Sequence, residues 1–272
     1  MYRVCGTTMN KAERLEKLLP NGRGVWIPID HGMSDYPTQG LEDTEGLIRD
    51  LVSAGVNAIV AQKGVVTHYS HLCKGTNTNM VIHFSASTRH GGADASRKVS
   101  VGKASEVESR GGIAASAQVN MGSDGEAGML QDMGELTMDC HHIGLPVLGM
   151  VYARGPNLTI DEDDTTNGVA QAARVAFEIG CDVGKTTWTG DDESFSQVTS
   201  AVPIPLLVAG GAKNSTHDML SMVERAMKNG GSGVCMGRQV FAHESPRLVA
   251  RALMMIVHED ASAEDAIKAT GL

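Results

Sequence analysis

No stretch of the chain stays apolar for the ~18 positions that a transmembrane helix requires, so a membrane partner is not expected. The stretch from Met1 to Pro20 has no apolar run and is charged from Lys11 to Lys17, which argues against a signal peptide. Basic residues are in short supply: 23 Lys and Arg against 32 Asp and Glu give a formal net charge of −9. With no basic patch or stripe, nucleic acid is not an expected partner, and the acidity reads as ordinary solubility. Paired cysteine motifs are missing too. Cys5, Cys73, Cys140, Cys181 and Cys235 are scattered with no CxxC, as expected of free thiols in a reducing cytoplasm and of small buried hydrophobes. Nor do the ten histidines show metal-ligand spacing. His68 and His71 are near each other and His141 adjoins His142, but no carboxylate or third histidine stands at ligand distance, so neither a metal nor another cofactor is expected.

Low-complexity tracts and long linkers are absent as well, and 272 residues match the roughly 250 of one (β/α)8 barrel. What is present is an alternation of short apolar runs and amphipathic segments, the signature of a parallel sheet. Strands are expected at Val25–Asp30, Asn57–Gln62, Met80–Phe84, Ile113–Val119, Val147–Tyr152, Asp182–Thr186, Leu206–Gly210 and Gly233–Gly237. Helices are expected at Leu41–Ala54, Glu126–Ile143, Thr165–Ile179, Ser215–Asn229 and Pro246–His258, with Asn10–Leu19 as a lead-in helix. Gly55, Gly144, Gly180 and Gly230 stand where helices should end. His68–Thr78 and Ser87–Val101 read as loops with at most a short helix. A single (β/α)8 TIM barrel over residues 1–272 is the simplest architecture, and an open doubly wound sheet is the alternative.

In a barrel, chemistry gathers at the C-terminal strand ends. Those ends supply Asp30-His31, Tyr152, Lys185, Gly210-Gly211 and Gly237-Arg238. A lysine there is buried, which should lower its pKa and free an amine that can attack a ketone. The resulting iminium is an electron sink for making or breaking a carbon–carbon bond. A structural pairing of Lys185 with a carboxylate is the competing reading. Gly180–Thr186 has glycines and a lysine like a P-loop, but the spacing is one residue short and the run builds a strand, so nucleotide binding is not expected. Tyr152 is either a proton carrier for a substrate hydroxyl or a cap on the barrel core. Asp30 needs a partner at an apolar strand end, and an amine or iminium would serve. His31 either meets substrate or satisfies backbone groups. Gly210-Gly211 and Gly237-Arg238 follow the seventh and eighth strands, where barrels commonly bind phosphate; two ordinary glycine turns are the alternative.

Taken together, Ile27–Gly32, Tyr152–Gly155, Asp182–Thr186 with Thr189–Asp191, Val208–Gly211 and Gly237–Phe241 resemble, in order, the archaeal-type (DhnA-like) class I aldolase family. Within it the likeness is to the branch of heptulosonate synthases and aminobenzoate-pathway aldolases, and it runs from about Val25 to His258. The resemblance implies that Lys185 is the Schiff-base lysine, Tyr152 the proton donor and Asp30 the proton acceptor. It implies that His31, Gly32, Met33, Ser34, Ala153, Arg154, Gly210, Gly211, Gly237 and Arg238 line a phosphorylated substrate, and that the chain forms a homo-oligomer, often a decamer of two pentameric rings. Gly184, Trp188, the Ser85–Thr88 loop and the Arg89–Val99 stretch depart from the family pattern.

The expected activity is therefore a Schiff-base aldol or transaldol reaction. It joins a phosphorylated ketone to a small aldehyde, L-aspartate semialdehyde being favoured, in aromatic precursor biosynthesis. Fructose-1,6-bisphosphate cleavage is the alternative within the class. A binding barrel that kept its phosphate site without catalysis lies outside it, as does a metal-dependent aldolase.

Overall fold

Eight short runs rich in Val, Ile, Leu and Ala become strands buried almost throughout, as parallel strands covered by helices should be. A computed structural model describes residues 9–159, 165–211 and 215–272. The strands are β1 (Gly24–Pro28), β2 (Ala58–Gln62), β3 (Asn79–His83), β4 (Ala114–Met121), β5 (Val147–Ala153), β6 (Val183–Thr186), β7 (Leu206–Val208) and β8 (Gly233–Cys235). They close in chain order, with β1 paired to both β2 and β8. The open-sheet alternative is thereby excluded, and every expected strand is found within a few residues.

The barrel wall sorts its side chains by parity. Trp26, Val60, Val81, Leu148, Val183 and Leu207 turn inward, while Val25, Ile59, Ile82, Val119 and Val147 turn outward beneath the helices. The lead-in helix Lys11–Leu18 begins with an Asn10/Glu13 capping box. It plugs the lower mouth: Leu15, Leu18 and Leu19 pack on the inner cluster, and Trp26 Nε1 donates to the Leu18 carbonyl at 2.8 Å. Buried Arg14 pairs with Glu108, and Lys11 reaches Asp182 at 3.0 Å. Asp182 also accepts from the Val147 N–H at 2.9 Å, so this carboxylate fastens the lower end of β6 and takes no place in the site above.

His68–Thr78 is a loop with short helical turns, as expected: the helix Lys63–Tyr69, held by buried Val66, ends within it and a tight turn at Ser70–Cys73 follows. Two expectations need correction. The stretch from residue 85 to 100 is not a plain loop: Ser85–Ala86 pairs antiparallel with Val99–Ser100 and closes an excursion over the barrel mouth. The helix Asp192–Ser200 was not expected, since only Phe195 and Val198 face inward and an Asp191 cap begins it. Cys73, Cys140, Cys181 and Cys235 are buried free thiols, as expected; Cys5 lies outside the described residues. No helix among the described residues is long and apolar enough to cross a membrane.

Candidate active site

Strand register brings the reactive groups together. Lys185 of β6 is paired with Met150 of β5, so Tyr152 stands one inward step above it. On the other side of β6, Gly184 leaves room for β7: a Cβ there would sit 2.6 Å from Leu206 Cδ2. The Tyr152 side chain lies beside the Lys185 amine at the junction of two cavities and favours its charged form. The Arg154 guanidinium lies 4.4 Å from the Tyr152 ring centroid and donates to Asn120 Oδ1 at 2.9 Å; Gln118 donates to the same oxygen at 2.9 Å. Asp30 follows β1 at the start of the short helix His31–Asp35, but its side chain makes no capping bond. Its carboxylate instead faces His31 Nδ1 at 3.7 Å and His83 Nε2 at 3.8 Å, just beyond hydrogen-bond reach.

The charges follow from this packing. Burial raises the Asp30 pKa, but His83, His31 and Lys185 and a backbone N–H lower it further, so the carboxyl lies below its ordinary value and is ionised. Burial pushes both His31 and His83 below the usual histidine value, which keeps them neutral at pH 7. For Lys185 the sequence expectation is reversed. Burial does oppose the ammonium, but Tyr152, Cys235 and Asp30 all favour it and together leave the pKa above the ordinary lysine value. Cys235 is itself neutral, its thiol pushed up to about 11 by burial. A lysine placed this way must hand its proton to a neighbour before it can attack a carbonyl, and Asp30 is the ionised acceptor at hand.

Two cavities meet at Lys185 and Tyr152. The larger, about 1180 Å³, lies over β5 to β8 and is lined by Trp188, Gly210, Gly211, Gly237 and Arg238, with Ala153 and Thr186. The smaller, about 240 Å³, lies over β1 to β4 and is lined by Asp30, Ser34, His83, Lys98 and Gln118. His31, Arg154 and Arg238 border both. Lys185, Tyr152, Asp30, His31, Ser34, Ala153, Arg154, Gly210, Gly211, Gly237 and Arg238 all line one or both of these cavities.

Gly32 and Met33 do not: neither lines a cavity, and Met33 is 39% exposed, because the short helix turns them outward. His31 does not serve backbone groups through Nδ1, which is buried and makes no hydrogen bond to the described residues; its ring packs edge-on against Phe241 at 5.0 Å. Trp188 and Ser85, both at departures from the family pattern, fall in different cavities. Trp188 is held in the larger one between Phe195, 4.9 Å away, and Arg225, 5.0 Å away.

Sequence reasoning missed His83, Gln118, Asn120 and Lys98. The first three carry a signal: they alternate inward with apolar neighbours, His83 with Val81 on β3, Gln118 and Asn120 with Ala114 on β4. His83 is 1% exposed, and its Nδ1 lies 3.0 Å from Ser116 Oγ. Lys98 sits on the excursion after β3, whose sequence has no periodicity to place it. Among the described residues, no three His, Cys, Asp or Glu side chains gather as metal ligands would.

Comparison with known proteins agrees with this arrangement. The 2-amino-3,7-dideoxy-D-threo-hept-6-ulosonate synthase of Halobacterium salinarum is 35% identical over 98% of both chains. The 2-amino-4,5-dihydroxy-6-oxo-7-(phosphonooxy)heptanoate synthase of Streptomyces griseus is 34% identical over 85% of this chain and 84% of its own. Among solved structures, a Schiff-base-forming fructose-1,6-bisphosphate aldolase superposes with a TM-score of 0.80 at 26% identity, covering 92% of this chain and 100% of its own. An archaeal fructose-1,6-bisphosphate aldolase with its catalytic lysine bound to a carbinolamine intermediate gives 0.79 at 25% identity, covering 91% and 99%. Residues 25–243 match the DeoC/LacD family aldolases, and the chain belongs to that family of Schiff-base enzymes.

Proposed function

We propose that the protein joins a phosphorylated three-carbon ketone unit to L-aspartate semialdehyde, with Lys185 as the covalent catalyst. The observation that carries this is the meeting of Lys185, Tyr152 and Asp30 where the two cavities join. The products named for the two curated relatives support the acceptor; the phosphate on the three-carbon unit is supported by the Streptomyces griseus relative's name, whereas the 7-deoxy product of the other relative carries none. Both names describe a seven-carbon 2-amino acid with its ketone at carbon 6. Undoing an aldol bond between carbons 4 and 5 leaves a three-carbon ketone and a four-carbon amino acid bearing an aldehyde. That four-carbon piece is aspartate semialdehyde, and the product is a precursor of aromatic compounds.

Each residue then has a task. The Lys185 amine, its proton handed to Asp30, adds to the donor ketone; Asp30 gives that proton to the departing hydroxyl, and loss of water leaves the iminium and an ionised Asp30. Asp30 takes the proton lost from the carbon beside the iminium, or the hydroxyl proton whose loss breaks a ketose donor in the transaldol variant. The enamine electron pair attacks the aldehyde carbon, and Tyr152 gives its proton to the new alkoxide oxygen. Water then hydrolyses the iminium and returns the lysine. Gly210, Gly211, Gly237 and Arg238 hold the donor phosphate in the larger cavity, with Ala153 and His31 on its walls; Ser34 and Arg154 face the acceptor. The chain would work as one barrel domain over residues 1–272, within a homo-oligomer such as a decamer, in the cytoplasm.

An acceptor panel tests this reading. With dihydroxyacetone phosphate or a deoxy-ketohexose phosphate as donor, L-aspartate semialdehyde should give the highest kcat/KM. A preference for glyceraldehyde 3-phosphate would replace the reading with fructose-1,6-bisphosphate chemistry.

A further inference from the structure

The smaller cavity contains a lysine that the covalent chemistry does not use. Lys98 comes from the excursion between β3 and β4, the segment that Ser85–Ala86 and Val99–Ser100 close over the mouth. Its backbone is anchored, with its N–H directed to Met129 Sδ at 3.3 Å, and its ammonium donates to Ser34 Oγ at 3.1 Å. No carboxylate hydrogen-bonds it among the described residues. Asp30 acts on it only through space, and the nearby Asp35 is engaged by Arg89 at 3.0 Å. Arg154 borders the same cavity and makes its hydrogen bond to the neutral Asn120. Lys98 and Arg154 therefore face a cavity of about 240 Å³ that Arg238 and the protonated Lys185 also line, four cations against the carboxylate of Asp30 and the Arg89-engaged Asp35, and burial disfavours the charge on Lys98. A carboxylate bound there would restore that charge.

We infer that Lys98 and Arg154 form an anion subsite in the smaller cavity that holds the carboxylate of the acceptor aldehyde. The inference rests on the function proposed above and adds the residue that selects the acceptor. The two cavities flank Lys185, so a donor held by its phosphate over β7 and β8 leaves the smaller cavity to the acceptor aldehyde that the enamine attacks. The aldehyde carbon then lies between Tyr152 and the enamine, and its anionic end points away from both.

The test compares wild type, Lys98→Met and Lys98→Arg with one donor and two acceptors, L-aspartate semialdehyde and uncharged butanal. A charge-assisted hydrogen bond lost with Lys98→Met should raise the KM for aspartate semialdehyde roughly 10- to 100-fold. Butanal kinetics should stay unchanged, and Lys98→Arg should recover most of the loss. Borohydride trapping of donor on Lys185, measured without acceptor, should proceed equally in all three proteins. A loss that falls equally on both acceptors, or on neither, overturns the assignment of Lys98. If wild type traps donor on Lys185 but prefers butanal, the subsite is overturned while the aldolase chemistry stands. If wild type traps no donor, the function proposed above fails and the subsite with it.

Discussion

Lys185 and Tyr152 stand one inward step apart on neighbouring strands, because Lys185 is in register with Met150 of β5. This one relationship sets the state of the amine. The surroundings of the amine, Tyr152 foremost, outweigh burial and keep the lysine pKa above its ordinary value. Burial alone would lower the pKa of the amine, but its neighbours raise it, so catalysis depends on moving a proton within the site and not merely on desolvation.

A pH experiment follows directly. Asp30→Asn removes a charge that favours the ammonium, so Lys185 should lose its proton at lower pH than in wild type. The rise of imine trapping with pH should shift toward neutrality, while turnover should fall roughly 10²- to 10⁴-fold because the proton acceptor is gone. Trapping rates measured from neutral to alkaline pH check the direction. A shift to higher pH would show that Asp30 does not act on the lysine. Stability obeys the same signs. The raised Lys185 pKa contributes stability below the ordinary lysine pKa, and this is lost as pH climbs through the raised value. The lowered Asp30 pKa contributes above the ordinary aspartate value, and this is lost as pH falls through the depressed one.

Arg238 should matter for the donor. Losing its guanidinium removes a charge-assisted hydrogen bond to phosphate of ~1.5–3 kcal/mol, so Arg238→Ala should raise donor KM roughly 10- to 100-fold. Trp188 shares the larger cavity with Arg238, so Trp188→Tyr should alter donor use more than acceptor choice. Steady-state kinetics with two donors and two acceptors separates these effects. An unchanged donor KM in Arg238→Ala would remove the phosphate assignment.

Trp26 supports the fold from below. Trp26→Phe abolishes the indole bond to the Leu18 carbonyl and should cost about 1–3 kcal/mol, with donor trapping on Lys185 retained. A lowered urea midpoint with an unchanged trapping rate is the expected pair of results. Equal stability would mean that the lead-in helix is fastened by its ion pairs instead.

Much of this was legible in the chain. The eight strands announced themselves as short apolar runs, and Lys185, Tyr152 and Asp30 stood where those runs end. What was hidden falls into two kinds. His83 and Gln118 obey the inward parity of their strands, so the pattern held them, but a polar residue in an apolar run draws attention only once the neighbours on its face are known. Lys98 obeys no pattern, since its place depends on a two-residue ribbon and on contacts across the barrel mouth. The sign of the Lys185 pKa was equally hidden, because it is fixed by strand register and not by the residues beside it in sequence.

Reductive trapping tests the central claim most directly. Two lysines reach the site, and burial disfavours the ammonium of Lys98 while the surroundings of Lys185 favour its own. Borohydride added with dihydroxyacetone phosphate should inactivate the enzyme and leave a single adduct, which peptide mass analysis should place on Lys185. Lys185→Met should fold normally, take up no label and lose turnover. A label on Lys98, or an active Lys185→Met protein, would contradict the account.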